Sequence, residues 1–142
     1  MKIAIGADHG GLEYKKEIIL MIKNMGYEVK DFGTYTPESC DYPIYAKEVA
    51  KAVTSREYDY GILICGTGIG MSITANKFKG ARAALCSDLY SAKVTREHND
   101  SNILCLGARV ISKELALNIT KTWLTTPFSN EERHVRRIKM IE

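Results

Sequence analysis

Ile62-Leu63-Ile64-Cys65-Gly66-Thr67-Gly68-Ile69-Gly70-Met71-Ser72 is an apolar run that ends in a cysteine and opens into a loop with glycine at every second position. A helix-compatible segment, 71–77, follows. The pattern reads as a buried strand, a turn rich in backbone N–H groups, and a helix start. N–H groups at a helix N-terminus attract anions. The same field favours the thiolate form of a nearby cysteine. One segment therefore offers a reactive sulfur beside a cradle for negative charge. The plainer alternative is a small buried hydrophobe followed by turn residues, so the rest of the chain has to decide.

Outward from this segment, strand-like runs at 2–6, 28–32, 60–65, 82–86 and 103–106 alternate with helical stretches at 12–25, 43–53, 89–97, 113–124 and 130–141. Ile18, Ile22 and Met25 share one helix face, with Gly26 as a stop. Tyr45, Val49 and Val53 recur at four-residue spacing behind Pro43, which suits a first helical turn. Ser87 or Asp88 can cap the helix that begins at Leu89. Alternation of this kind predicts an α/β fold: a doubly wound sheet of five parallel strands, order 2-1-3-4-5, with helices on both faces. Near-continuous apolar runs fit strands covered on both sides. In such sheets ligands bind beyond the carboxyl ends of the strands. Asp8-His9-Gly10-Gly11 after the first strand and Cys65-Gly66-Thr67-Gly68 after the third are expected to meet there.

The chain has 142 residues, enough for one domain over 1–142 with a core that needs no disulfide or metal. No stretch reaches the ~20 apolar residues of a membrane span, and the first residues lack the features of a signal peptide. A cytoplasmic protein without membrane partners is expected. Four cysteines, at 40, 65, 86 and 105, show neither CxxC pairing nor zinc-site spacing, so no metal and no cofactor is anticipated. Cys86 and Cys105 lie inside apolar runs and read as core. A net charge of +3 is small, and the one basic cluster, Arg133-His134-Val135-Arg136-Arg137, lacks the strength and interleaved aromatics of a nucleic-acid binder.

Three familiar readings of the glycine loop fail at one residue. Gly66, Gly68 and Gly70 run G-x-G-x-G, whereas the dinucleotide fingerprint needs glycine where Met71 stands. A cysteine phosphatase would place an arginine at that same position. A phospho-receiver domain would end its third strand in aspartate, where this chain has Cys65. No nucleotide P-loop sequence occurs.

Elsewhere the chain offers acid–base and anion-binding groups. Arg133 and Arg137 are four residues apart on the last helix, where paired guanidinium forks suit a phosphate dianion. Val135, Ile138 and Ile141 are expected to dock that helix. His9 sits beside Asp8 in a loop after a strand, and His98 lies in Arg96-Glu97-His98-Asn99-Asp100, a polar run expected at the carboxyl side of the sheet. Imidazole is the side chain best suited to proton transfer near neutral pH. Taken together, these residues indicate proton transfer or covalent thiol chemistry on a small phosphorylated metabolite, with Cys65 as base or nucleophile.

At this point the motifs resemble a known family. Ile5 to Gly11, Asp41-Tyr42-Pro43, Gly61 to Gly70, Ser72 to Lys77, Arg96 to Asp100, Gly107-Ala108-Arg109-Val110 and Arg133-His134 are similar, in order, to type B ribose-5-phosphate isomerase and the wider ribose/galactose sugar-phosphate isomerases. The resemblance covers nearly the whole chain. It implies a Rossmann-like domain that interconverts ribose 5-phosphate and ribulose 5-phosphate through a cis-enediolate, without a metal. Cys65 is then the base at C2. His98, with Asp8, assists furanose ring opening. The N–H groups of Gly66, Thr67, Gly68, Ile69 and Gly70 form the anion hole, and Thr67 shuttles protons. His9, Arg109, Arg133 and Arg137 bind phosphate, while Tyr45 and Asn99 contact the sugar. It also implies a homodimer or tetramer, with the C-terminal helix at the subunit interface and some site residues contributed by the partner.

The chain departs from the family where two glycines often precede the Arg-His pair; here Ser129-Asn130-Glu131-Glu132 stand. Glu132 is expected to weaken phosphate attraction at Arg133. The rival substrates are six-carbon phosphates such as allose or galactose 6-phosphate. A non-catalytic sugar-phosphate sensor would keep the arginines but need neither Cys65 nor His98.

Overall fold

The computed structural model describes all residues, Met1–Glu142. Lys2–Ala7 (β1), Glu28–Asp31 (β2), Tyr60–Cys65 (β3), Ala83–Leu85 (β4) and Ile103–Gly107 (β5) form one parallel sheet in the order β2-β1-β3-β5-β4. Leu12–Asn24 (α1), Tyr42–Thr54 (α2), Ile69–Ala75 (α3), Leu89–Asn99 (α4), Lys113–Thr125 (α5) and Glu132–Ile141 (α6) are its helices.

The period of two along each strand divides the core. Ile3, Ile5, Ile62, Ile64, Leu104 and Leu106 face α1, α4 and α5 through Ile18, Ile22, Ala92, Ile119 and Trp123. Ala4, Leu63, Cys65, Ile103 and Cys105 face the other way, onto Val49, Ala50 and Val53 of α2 and Met71 and Ala75 of α3. Each fully buried Ile or Leu contributes about 1.5–3 kcal/mol relative to exposure. This alternation is what aims the Cys65 side chain at the α2–α3 side of the sheet.

The expected order 2-1-3-4-5 is corrected at one edge: β5, not β4, lies against β3, with Gly61 to Cys65 paired to Ile103 to Gly107. Strand strength explains the exchange. All five residues of β5 are buried, whereas β4 has three residues, of which Leu85 is 41% exposed. A short, half-wet strand belongs at an edge, so the chain skips one position after α3 and returns through α4.

The helix ends follow local chemistry. Pro43 stands in the first turn of α2. Asp88 and Ser112 cap α4 and α5 by accepting from the N–H groups of Ser91 and Leu115. The last helix, α6, is held more lightly. Ser129 Oγ donates to the Glu97 carbonyl at 2.7 Å, and Arg82 pairs with Glu142 at 2.6 Å. The residue it buries is His134; Val135 and Ile138 are half-buried and Ile141 is 66% exposed, so the expected apolar docking is only partial. No helix is long and apolar enough to cross a membrane.

Candidate active site

At the carboxyl end of β3, Cys65 is 5% exposed and its Sγ accepts the Gly68 N–H at 3.1 Å. Gly68 has φ +80°, and a β-carbon there would stand 2.5 Å from Leu85 Cδ1 and 2.9 Å from the Leu106 carbonyl carbon. Only glycine lets the loop fold back over the sulfur. The Ile69 N–H is taken by Thr67 Oγ1 at 3.2 Å. Two of the five expected anion-hole donors are therefore engaged within the loop. Gly66, Thr67 and Gly70 keep N–H groups without an acceptor in the chain.

Asp8, next to the end of β1, is 8% exposed, and its Oδ1 accepts the N–H groups of Gly10 and Gly11 at 2.9 and 3.3 Å. These bonds close a single 3-10 turn, His9–Gly11, that turns the chain into α1. The β3–β5 ladder runs past the strands: Ala108 and Arg109 donate to the carbonyls of Cys65 and Gly66, each at 2.9 Å. Arg109 is thereby laid over the loop. A methyl group on Gly66 would stand 3.0 Å from Arg109 Nη1, and one on Gly10 would stand 3.7 Å from Arg109 Nη2. Asp8, His9, the Cys65 loop and Arg109 thus converge, as the sheet topology leads one to expect.

The other expected site residues lie elsewhere. His98 and Asn99 end α4, which runs antiparallel to the strands and delivers its last turn to the amino end of β5. The Arg96 guanidinium fixes that end by donating to Tyr60 Oη, at the start of β3, at 2.9 Å. Five rises of about 3.3 Å separate the two ends of β3, roughly 16 Å. His98 is therefore at the amino side of the sheet, not the carboxyl side. A residue just before a parallel strand has to be, because the strand then runs away from it.

His98 stacks on His134, ring centroids 4.2 Å apart and planes 14° from parallel. Burial holds the His134 pKa below its ordinary value, helped by the positive charge nearby on His98 and Arg133, and its Nε2 has no hydrogen-bond partner. Arg133 and Arg137 are exposed on the same helix. Glu131, not Glu132, engages Arg133: its Oε2 lies 3.0 Å from Arg133 Nε, while Glu132 pairs one turn on with Arg136 at 3.3 Å. Helix geometry accounts for this, since i,i+4 partners share a face and the extended backbone of Glu131 lets its carboxylate reach back over the first turn.

Two residues beside the carboxyl-end cluster, Cys40 through its backbone and Tyr42 through its ring, carry no role assigned from the sequence. Cys40 donates its N–H to His9 Nδ1 at 3.2 Å. The Tyr42 ring covers Gly70, where an added β-carbon would fall 2.3 Å from Tyr42 Cε1. Tyr45 packs on Gly33 instead, with its Cε1 2.9 Å from the place of a β-carbon there. Among the remaining thiols, burial pushes Cys86 up to about 12, with Asp88 adding to it, and also pushes Cys105 up, so both are core thiols as expected. No cluster of three or more His, Cys, Asp or Glu side chains is placed to hold a metal.

The family model of the ribose/galactose isomerases matches residues 3–141. The chain belongs to the ribose/galactose isomerase family. It is 50% identical over 140 residues to ribose-5-phosphate isomerase B of Escherichia coli K12, which covers 99% of this chain and 93% of that protein. The solved structure of ribose-5-phosphate isomerase B from Clostridium thermocellum superposes with a TM-score of 0.97 at 55% identity, over 99% of this chain and 95% of that one. A 4-deoxy-4-sulfo-D-erythrose isomerase from a Clostridium species is 42% identical over 131 residues, 91% of this chain and 82% of that protein. The family thus includes relatives named for different sugars, so membership shows a sugar-phosphate isomerase scaffold and leaves the substrate to the site.

Proposed function

We propose that this chain interconverts ribose 5-phosphate and ribulose 5-phosphate, at a site that joins the carboxyl end of one subunit to the amino end of a second copy. The observation that carries this reading is Cys65 Sγ bonded to Gly68 N–H in a loop with three unpaired N–H donors, under Arg109.

Opening of the furanose moves a proton onto the ring oxygen and removes one from the O1 hydroxyl; His98 of the partner subunit and Asp8 serve these transfers. The Cys65 thiolate then takes the proton from C2, and the electron pair moves to give a cis-enediolate. Cys65 returns a proton to C1, in part exchanged with water at the thiol, while Thr67 moves a proton between O1 and O2. A positioned base supplies about 10²–10⁴-fold, and each oxyanion donor about 10²–10³-fold more. The N–H groups of Gly66, Thr67 and Gly70 are available for that charge. Once an oxyanion enters, Gly68 and Ile69 can exchange their internal acceptors for it. His9 and Arg109, with Arg133 and Arg137 of the partner subunit, hold phosphate, and Tyr45, with Asn99 of the partner subunit, borders the sugar.

A second copy is needed because His98, Asn99, Arg133 and Arg137 stand at the far end of the sheet from Cys65 in one chain. A two-fold dimer makes such a split site twice. Exposed apolar groups near the loop, Ile69 at 51%, Ile73 at 58% and Leu85 at 41%, suit a covered face.

The decisive assay compares turnover of ribose 5-phosphate, allose 6-phosphate, galactose 6-phosphate and 4-deoxy-4-sulfoerythrose, each with and without chelator. Ribose 5-phosphate is expected to have the highest kcat/KM, unchanged by chelator. A higher value for a six-carbon phosphate or the sulfo-sugar would reassign the substrate.

A further inference from the structure

Lys15 of α1 is 1% exposed, on the same stripe as Leu12, Ile18 and Ile22. Lysine is almost never buried this fully without a purpose-built set of partners. Here every partner belongs to one short segment that starts at the last residue of β2. Nζ donates to Asp31 Oδ1 at 2.6 Å and to the Thr34 carbonyl, and lies 5.0 Å from the centre of the Tyr35 ring. Asp31 in turn accepts the Gly33 N–H at 2.8 Å, and its carbonyl accepts Tyr35 Oη–H at 2.9 Å. A buried ion pair is weak evidence for stability, since apolar residues of similar volume often do as well. What the ammonium adds is a fixed place for residues 31–35.

That place bears on the candidate site along two routes. Gly33 accepts the Ala7 N–H at 2.7 Å and Thr34 donates to the Ala7 carbonyl at 2.6 Å, which pins the residue directly before Asp8 and His9. The same segment then runs on to Cys40, whose N–H meets His9 Nδ1 at 3.2 Å. An Nδ1 that accepts leaves the proton of a neutral imidazole on Nε2, which is then a donor for an anion. Neither Lys15 nor Asp31 is part of the proposed chemistry.

We propose that Lys15 is a positioning residue: through Asp31 and Thr34 it holds the 31–40 segment so that Cys40 fixes the ring and tautomer of His9. This rests on the reading of His9 as a phosphate ligand. Lys15→Met keeps much of the buried stem and removes the grip; Asp31→Asn keeps volume and one acceptor while removing the charge.

The test is a double-mutant cycle between Lys15→Met and His9→Ala on the full-length protein, read as KM and kcat for ribose 5-phosphate and as inhibition by inorganic phosphate. Lys15→Met is expected to raise KM about tenfold with kcat within about twofold, the mark of lost uniform binding. In the His9→Ala background it should add almost nothing, because residues that act through one another are not additive. Nitrogen NMR of the His9 ring should show the Nε2–H tautomer in the wild type and a mixture in Lys15→Met. If Lys15→Met fails to fold, Asp31→Asn carries the same expectation at smaller size. Unchanged KM in a folded Lys15→Met, or full additivity with His9→Ala, overturns the positioning role and leaves the phosphate reading standing. An unchanged KM in His9→Ala itself overturns both.

Discussion

The imidazole of His98, in the last turn of α4, lies flat on that of His134 in α6, 4.2 Å between centroids. His134 is 5% exposed, and burial favours its neutral form. From α4 the group facing it is His98. From α6 and its entry loop, Arg133 and Arg137 also disfavour a second positive charge, and Glu131 alone favours it. Because the folded-state pKa lies below the ordinary 6.5, the unfolded or detached form takes up the proton first. Attachment of α6 is therefore complete above about pH 6.5 and weakens as pH falls below it. Protection of the amides of residues 132–141, measured against their intrinsic exchange rates, should fall between pH 7.5 and 5.5. In His134→Phe, which keeps a stacking ring without a titrating nitrogen, that pH dependence should vanish.

Glu131 sits against one of the two arginines proposed to hold phosphate. Its carboxylate lies 3.0 Å from Arg133 Nε, on the guanidinium edge that the proposed phosphate contact needs. The pair is exposed, and exposed pairs are worth about 0.2–1 kcal/mol. Glu131→Gln is thus expected to lower KM for sugar phosphate by about two- to fivefold at low salt, with the gain fading as salt screens it. Glu132→Gln, whose partner is Arg136, should leave KM unchanged. The reverse order of effects would return the role to Glu132.

Separation of Cys65 and His98 by the length of β3 makes a prediction about mixed subunits. Cys65→Ala and His98→Asn should each be nearly inactive as homodimers. Co-expressed in equal amounts, they should regain about a quarter of wild-type turnover, since half of the dimers are mixed and each mixed dimer carries one intact site of two. A site confined to a single chain would give no recovery.

These comparisons also mark how far the sequence could be read. Cys65 and its loop were legible because an apolar period of two meets a run of glycines, and this junction is a local signal. The convergence of Asp8, His9 and Cys65 followed from parallel topology. The β4–β5 exchange was hidden because Arg82 to Cys86 and Ile103 to Leu106 both read as strands; their unequal burial separates the edge strand from the interior one. His98 was misplaced because a helix's end was read without its direction. Lys15 left a signal that went unread: a charge midway between Leu12 and Ile18 on a buried stripe. Cys40 left none, and Tyr42 only its place in the Asp41-Tyr42-Pro43 motif, since contacts to His9 and Gly70 arise from loop folding across the chain.

The central claim is that Cys65 moves the substrate proton, and isotope exchange in heavy water tests it most directly. Wild-type protein with ribose 5-phosphate should place deuterium at C1 of ribulose 5-phosphate and at C2 of recovered ribose 5-phosphate. Cys65→Ala should lose both turnover and exchange, by at least the ~10²-fold expected of a positioned base, while ribose 5-phosphate still protects it against thermal unfolding as the wild type is protected. Exchange at the wild-type rate in folded Cys65→Ala would contradict the account.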